Sequence, residues 1–381
     1  MTGKRMRDMD YSLHLTTACN MACRYCRFPC GKRYMSFETA RAVLDRAARA
    51  GGSCGIELTG GEPLLQRPLV CEIVRYGNRL MRRAHVRFDF KISTNGLLLD
   101  GEMIRFAAAH DVTVALYHDG VREAHDCNRV TPSGDGTFER LEPVIDALLA
   151  EMPYSPVHIT VEPSSVARFF DSVAYLYGRG FRVLLADISV KGRWNAERLA
   201  QLKQQYTRLA GFYFERTLSG DAFYFSPFEA KMQSCVQGSR ACLDRCELGK
   251  NRIFVSTSGD FYPCRQFIGN KKYQIGSVRS GLDDMRRFAL YRENGAEKTE
   301  CAACVFKSRC RNSCGCKNYA ATGSLSKVSP SMCAHEQTLI PIADDLAKRL
   351  LRNKYATFLR KPYDDFHSFR PEAEWAALRM V

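Results

Sequence analysis

The sequence predicts an α/β protein built on a parallel sheet, and three observations carry that prediction. Between residues 36 and 212, short apolar runs alternate with helix-length segments at a repeat of about 30 residues. The runs have the length and β-branched content of buried parallel strands. The cysteines are also segregated: of 17, that stretch holds only Cys54, Cys71 and Cys127, whereas ten lie between Cys235 and Cys333.

Residues 11–16 are the first expected strand, followed by runs at 56–59, 86–93, 112–117, 157–161 and 183–188. Expected helices fill the intervals at 37–50, 67–82, 100–110, 137–150, 166–178 and 195–210. The first of these places Ala40, Val43, Leu44 and Ala47 on one face, the stripe an amphipathic helix buries. Six strand–helix repeats imply a βα array whose sheet is open or curled into a partial barrel. In such arrays, chemistry collects in the loops that follow the carboxyl ends of the strands.

Composition narrows the class. With 45% hydrophobic and 25% charged residues, 27 Gly and 14 Pro, the 381-residue chain is neither disordered nor collagen-like. No apolar run approaches the roughly 18 residues of a membrane span. Residues 1–10 lack the apolar segment of a signal peptide, so the cytoplasm is the expected compartment. Thiols there stay reduced, and an odd cysteine count argues for metal ligands or catalytic groups over disulfides. A net charge of +15 points to an anionic partner (nucleic acid, acidic peptide or anionic cofactor) or to a basic surface with no specific partner.

The first strand runs into Cys19-Asn-Met-Ala-Cys23-Arg-Tyr-Cys26. Three thiolates on one short loop suit three irons of a [4Fe–4S] cube with the fourth left open, whereas structural zinc takes four protein ligands. The second strand ends in Thr59-Gly60-Gly61-Glu62-Pro63, where glycines admit close backbone approach and Glu62 offers a carboxylate to an amine. Taken alone, that run is an ordinary turn. Ser93-Thr94-Asn95-Gly96 follows the third strand and Tyr117-His118-Asp119-Gly120 the fourth.

With Tyr25 before the last cysteine, these motifs resemble the radical S-adenosylmethionine (radical SAM) superfamily. The resemblance implies a partial (β/α)6 barrel with a [4Fe–4S] cluster on Cys19, Cys23 and Cys26. SAM would chelate the open iron, with Gly60, Gly61 and Glu62 facing its methionine moiety and Tyr25 near its adenine. Ser93, Asn95 and Arg129 are the further SAM contacts expected. Cleavage of SAM by one electron would give a 5′-deoxyadenosyl radical that abstracts substrate hydrogen. Relatives often carry a Ser where Tyr117 stands, so that contact has no counterpart here, while His125-Asp126-x-x-Arg129 and Gly134-x-Gly136-Thr137-Phe138 match.

The C-terminal cysteines run Cys246, Gly259, Cys264, then Cys301-x2-Cys304-x5-Cys310-x3-Cys314, then Cys333. Their spacing alone also fits a zinc ribbon. With the N-terminal triad they resemble the SPASM extension of radical SAM enzymes that modify peptides, which implies two auxiliary [4Fe–4S] clusters. By that likeness Cys242, Cys246, Cys264 and Cys314 hold the first, with Cys235 or an open iron as alternatives to Cys242. Cys301, Cys304, Cys310 and Cys333 hold the second. The resulting division is a radical SAM core at 10–212, a cysteine-rich SPASM domain at 235–340 and a C-terminal helix and basic, aromatic tail at 341–381.

Formylglycine-forming sulfatase maturases of this kind carry an Asp after the second SPASM cysteine. Arg265 stands there, and a guanidinium does not accept a proton. Tyr262-Pro-Cys-Arg-Gln-Phe-Ile-Gly269 is similar instead to maturases that crosslink ribosomal peptides through thioether or C–C bonds. Arg265 and His118 are candidates for substrate contact or cluster tuning. The implied cofactors are three 4Fe–4S clusters and SAM. The implied partners are a peptide with an acidic leader and an external electron donor such as flavodoxin or ferredoxin. The triad begins at residue 19, so peptide recognition is expected from a separate protein or from barrel and tail. A sulfatase-type maturase and a radical SAM dehydrogenase of small alcohols remain the alternatives. A zinc protein binding nucleic acid is the alternative of another class, and it leaves the triad unused.

Overall fold

A computed structural model describes residues 9–26, 28, 30–190, 192–237, 248–310 and 314–353. In chain order, β1 (Asp10–His14) leads to α1 (Phe37–Ala50), β2 (Gly52–Thr59), α2 (Arg67–Met81), β3 (Val86–Thr94), α3 (Gly101–Ala109) and β4 (Val112–Tyr117). There follow α4 (Arg122–Asp126), α5 (Phe138–Glu151), β5 (Val157–Val161), α6 (Phe169–Gly178), β6 (Val183–Ile188) and α7 (Ala196–Leu218). The remainder comprises β7 (Tyr224–Phe225), α8 (Ser226–Gln237), β8 (Arg252–Val255), β9 (Phe261–Tyr262), β10 (Gly276–Ser277), β11 (Gly281–Leu282), α9 (Asp284–Gly295), α10 (Gly315–Thr322) and α11 (Pro330–Arg352). All six expected strands and the six expected helices are present, with β4, β5 and β6 at the expected limits.

The described residues fall into two compact units interleaved along the chain. One is drawn from Met1–Asn20, Arg27–Val114 and Glu247–Gly295, the other from Met21–Cys26, Ala115–Cys246 and Ala296–Val381. In the first unit the strand order is β3-β2-β1-β8-β9, parallel except for the β8–β9 hairpin. Leu13, Ile56, Leu58 and Ile92 are wholly buried there, each worth about 1.5–3 kcal/mol of apolar burial. Helix α1 buries Ala40, Val43, Leu44 and Ala47, the stripe that its periodicity predicts. Ser36 caps it by accepting the Thr39 N–H at 3.2 Å.

In the second unit β4-β5-β6-β7 continue in parallel order. Helices α7, α8 and α11 pack together, with Tyr206, Tyr213, Phe228, Leu339 and Leu346 in their shared interior. Helix α7 runs eight residues past its expected end at 210, because Tyr213 and Thr217 keep its buried face going. Helix α11 begins at Pro330, ahead of the expected start at 341. Ser329 caps it and proline tolerates the first turn. No described helix is long and apolar enough to cross a membrane.

Candidate active site

In the first unit, the loop after β1 and the turn after β2 are laid together. Gly61 N–H donates to Thr16 O at 2.7 Å and Glu62 N–H to Ala18 O at 2.9 Å. A Cβ on Gly60 would stand 2.6 Å from Thr16 O, and one on Gly61 would stand 2.1 Å from Ala18 O. The two glycines are therefore required by the approach of the Cys19 loop.

Glu62 is buried, and its carboxylate is met by three donors. Leu64 N–H and the Thr94 hydroxyl reach Oε1 at 3.0 and 2.7 Å, and Asn95 N–H reaches Oε2 at 2.8 Å. Burial nevertheless raises its pKa to about 7, the donors offsetting only part of the desolvation. A carboxylate offers roughly four acceptor sites, and these donors take three of them. The Asn95 side chain reaches Asn20 Oδ1 at 2.8 Å and Cys19 Sγ at 3.8 Å, so it borders the first thiol of the triad.

Ser93 points inward. Its hydroxyl donates to Glu57 at 2.7 Å, and Glu57 also accepts from Ser12 at 2.6 Å and pairs with Lys91 at 3.0 Å. Burial alone would raise Glu57, but Lys91, Arg252 and the two serines hold its carboxyl well below the ordinary range. Arg265 follows Cys264 and lies over the Phe28 ring at 4.4 Å, while Phe28 packs against His14. Burial, aided by the Arg265 charge, lowers His14 to about 4, so it is a neutral imidazole.

In the second unit, the segment bearing Cys23 and Cys26 hangs on the chain before α5. Ala22 N–H donates to Val130 O at 2.8 Å and Arg24 N–H to Asn128 O at 2.9 Å. Asp119 is the hub: it accepts from the Tyr25 hydroxyl at 2.9 Å and from Thr160 N–H at 3.0 Å, and it pairs with Arg129 at 3.0 Å. Both members of that pair are buried, and the Arg129 guanidinium also lies over the Tyr25 and Tyr117 rings. Burial would lower Arg129, but Asp119, with Tyr25 and Cys23 beside it, more than offsets that, so the guanidinium stays charged. Burial raises the Cys23 thiol and Arg129 pulls it back toward thiolate, the form an iron ligand takes.

His125-Asp126-x-x-Arg129 and Gly-Thr-Phe act together as the frame behind Arg129. Asp126 accepts the Thr137 and Phe138 N–H groups at 2.8 and 2.9 Å, capping α5. Thr137 donates to Arg129 O at 2.9 Å, and His125 lies 3.0 Å from Thr137 and 3.3 Å from Asp119 N. His118 is fully buried among His125, Phe138 and Tyr175. Burial lowers its pKa to about 3, so its setting is that of a packed, neutral ring.

Among the C-terminal cysteines, Cys301, Cys304 and Cys333 are half-buried. They are near enough that, after burial, the Cys304 and Cys301 charges raise the Cys333 thiol further. Cys310 and Cys264 are also half-buried, and Cys314 Sγ stands 3.4 Å from Cys316 Sγ. Cys235 on α8 faces Asp344 and Arg309. Cys242 and Cys246 lie outside the described residues, as does the tail from 354 onward. Among the described residues no three His, Cys, Asp or Glu side chains are gathered where they could hold a metal ion.

Sequence reading missed Asp119 as a hub and missed the Glu57–Lys91 pair altogether. A signal for the pair was present: an acid inside Gly55-Ile-Glu-Leu-Thr59 and a lysine inside Phe90-Lys-Ile92 are out of place in strands buried on both faces.

The family described as the Radical SAM superfamily matches residues 13–190. Mycofactocin maturase MftC of Mycobacterium ulcerans is 28% identical over 317 residues, covering 79% of this chain and 81% of that protein. A cysteine-type anaerobic sulfatase-maturating enzyme of Clostridium perfringens is 23% identical over 328 residues, covering 78% and 86%. The solved structure of native anSMEcpe with bound AdoMet and Cp18Cys peptide matches with a TM-score of 0.79 at 18% identity, covering 91% of this chain and 100% of that one. That likeness shows a shared fold, the α/β arrangement expected from the sequence.

Proposed function

We propose that this chain, whose residues 13–190 match the Radical SAM superfamily, is a radical SAM enzyme that oxidises a peptide substrate by two electrons and closes a crosslink within it. The carrying observation is the Cys264–Arg265 step. Arg265 is clamped over Phe28 beside a neutral His14, a setting that offers a cation for a substrate carboxylate and no proton acceptor of the carboxylate kind. Likeness to a maturase named for mycofactocin supports the peptide class.

When bound, SAM and the clusters would supply hydrogen-atom abstraction and one-electron redox chemistry, so that the peptide gives up one hydrogen atom and then one electron and one proton, two hydrogens in all. The chain's own residues bind and orient. Glu62 has an acceptor site for the SAM ammonium, and Asn95 orients the Cys19 thiol. The buried Asp119–Arg129 pair fixes Tyr25, and its Arg129 charge partly offsets the burial that raises the Cys23 thiol. In this reading Cys19, Cys23 and Cys26 hold the SAM cluster, Cys242, Cys246, Cys264 and Cys314 the first auxiliary cluster, and Cys301, Cys304, Cys310 and Cys333 the second. The core, SPASM domain and tail occupy 10–212, 235–340 and 341–381. In this reading the enzyme works in the cytoplasm on a peptide with an acidic leader and a flavodoxin- or ferredoxin-type donor, the peptide being recognised by a separate protein or by barrel and tail.

The second reading, formylglycine formation, has its support in the sulfatase-maturating relative and the shared fold. Mass spectrometry of the reconstituted enzyme with SAM, reductant and short peptides encoded beside it separates the two. A loss of about 2 Da, the mass of two hydrogens, with a new intrapeptide linkage supports crosslinking. Formylglycine in a sulfatase-derived peptide at comparable rate, or turnover of a small alcohol alone, sinks it.

A further inference from the structure

The loop that carries three of the expected second-cluster thiols has no core of its own. From 296 to 310 only Lys298 is buried, and Val305 is 84% exposed. Yet the loop's end is tied firmly into the helical layer. Arg309, next to Cys310, forks onto Asp344 of α11 at 2.8 and 2.5 Å, and donates to Ser234 Oγ and to Lys231 O on α8, each at 3.0 Å. Lys231, fully buried, reaches back: its ammonium donates to Arg309 O at 3.1 Å and pairs with Glu336 at 2.8 Å. Glu336 lies one helical turn beyond Cys333 on α11, and its neighbour His335 is anchored by Tyr206 of α7 at 2.8 Å. A buried cation, Lys231, and a half-buried one, Arg309, thus grip the chain beside Cys310 and the helix turn beside Cys333.

We propose that Lys231 and Arg309 are positioning residues for the second auxiliary cluster. Their ion pairs hold Cys310 and Cys333 in register with Cys301 and Cys304, a task that apolar packing performs elsewhere in the fold. The inference rests on assigning those four thiols to a cluster. Buried ion pairs are poor stabilisers compared with apolar replacements but are directional, which suits them to fixing a loop. Partners behind metal ligands set ligand geometry in the same way.

The test uses the anaerobically reconstituted full chain. Cys301→Ala/Cys304→Ala identifies the irons of this cluster, about four. Arg309→Met, and Lys231→Met/Glu336→Leu, which replaces the pair with apolar groups and keeps the helices packed, are then compared with it. Measured are irons per chain, the electron paramagnetic resonance signal lost in the cysteine variant, and iron release to a ferrous chelator. In both variants these irons should be absent or released roughly ten- to a hundredfold faster, with helical content unchanged and Arg309→Lys intermediate. Wild-type release from both variants, alongside loss of iron in the cysteine variant, overturns the positioning role and leaves the cluster assignment standing. Full iron in the cysteine variant overturns the assignment itself and the inference with it. If Arg309→Met does not fold, the double variant decides alone.

Discussion

Glu57 and Glu62 lie on the same strand-and-turn segment, one largely and the other fully buried, and their surroundings drive their carboxyls in opposite directions. Glu57 faces the Lys91 ammonium, and its pKa is held below the usual carboxylate range. Glu62 meets only neutral donors, and burial lifts it to about 7. For Glu57 the folded pKa is the depressed one. Its stabilisation is complete above the unfolded value of about 4.3 and is lost as pH falls through the lower folded value. Glu57→Gln should cost about 3–5 kcal/mol at neutral pH by leaving Lys91 buried without its counter-charge. That gap should close in acid, as urea unfolding across a pH series would reveal. Glu62 has the opposite sign: its burial becomes less favourable as pH rises from about 4.3 toward 7. Glu62→Ala should weaken SAM binding by about 1.5–3 kcal/mol, roughly ten- to a hundredfold in Kd, with iron content unchanged. Calorimetric titration with SAM measures it, and unaltered affinity would leave the Gly-Gly-Glu-Pro turn with a structural role alone.

At the scale of elements, boundaries are set by caps, and the caps have local signals. Ser36, Asp100, Asn195 and Ser329 each accept an N–H from the first turn that follows. Asp100 does so at 2.9 Å to Met103 and also pairs with Arg67 of α2 at 2.7 Å, joining two helices. Asp100→Ala should cost about 1 kcal/mol through the cap, the exposed ion pair adding little. Arg67→Ala should cost less than half as much, and denaturant midpoints of the two variants make the comparison. The ends of α7 and the start of α11 were misjudged from sequence because Tyr213, Thr217 and Ser329 are equally at home in a loop. The packing of α7, α8 and α11 is what makes them helical boundary and core residues.

For the whole molecule, the cysteine count and the net charge yield the broadest expectations. Three cubes would bring about 12 irons to the reconstituted chain. Joint replacement of Cys19, Cys23 and Cys26 by Ala should leave about 8 and abolish SAM cleavage. Iron and sulfide assays decide this, and stoichiometric zinc with little iron would contradict it. With a net charge of +15, association with an acidic leader should weaken steeply as salt is raised.

Strand and helix alternation was legible in the sequence because hydrophobic periodicity is a local property, repeated in each segment whatever lies across the sheet. The cysteine spacings and Gly60-Gly61 were legible for a related reason: ligand loops and close backbone approaches restrict residue type at neighbouring positions. Only the tertiary structure decided the polar partners. Ser93 turns to Glu57, Arg129 to Asp119, and Lys231 to a carbonyl 78 residues away. Each of those side chains had several partners open to it in the sequence. Burial removed water from the choice and left the groups that packing brought within hydrogen-bonding reach.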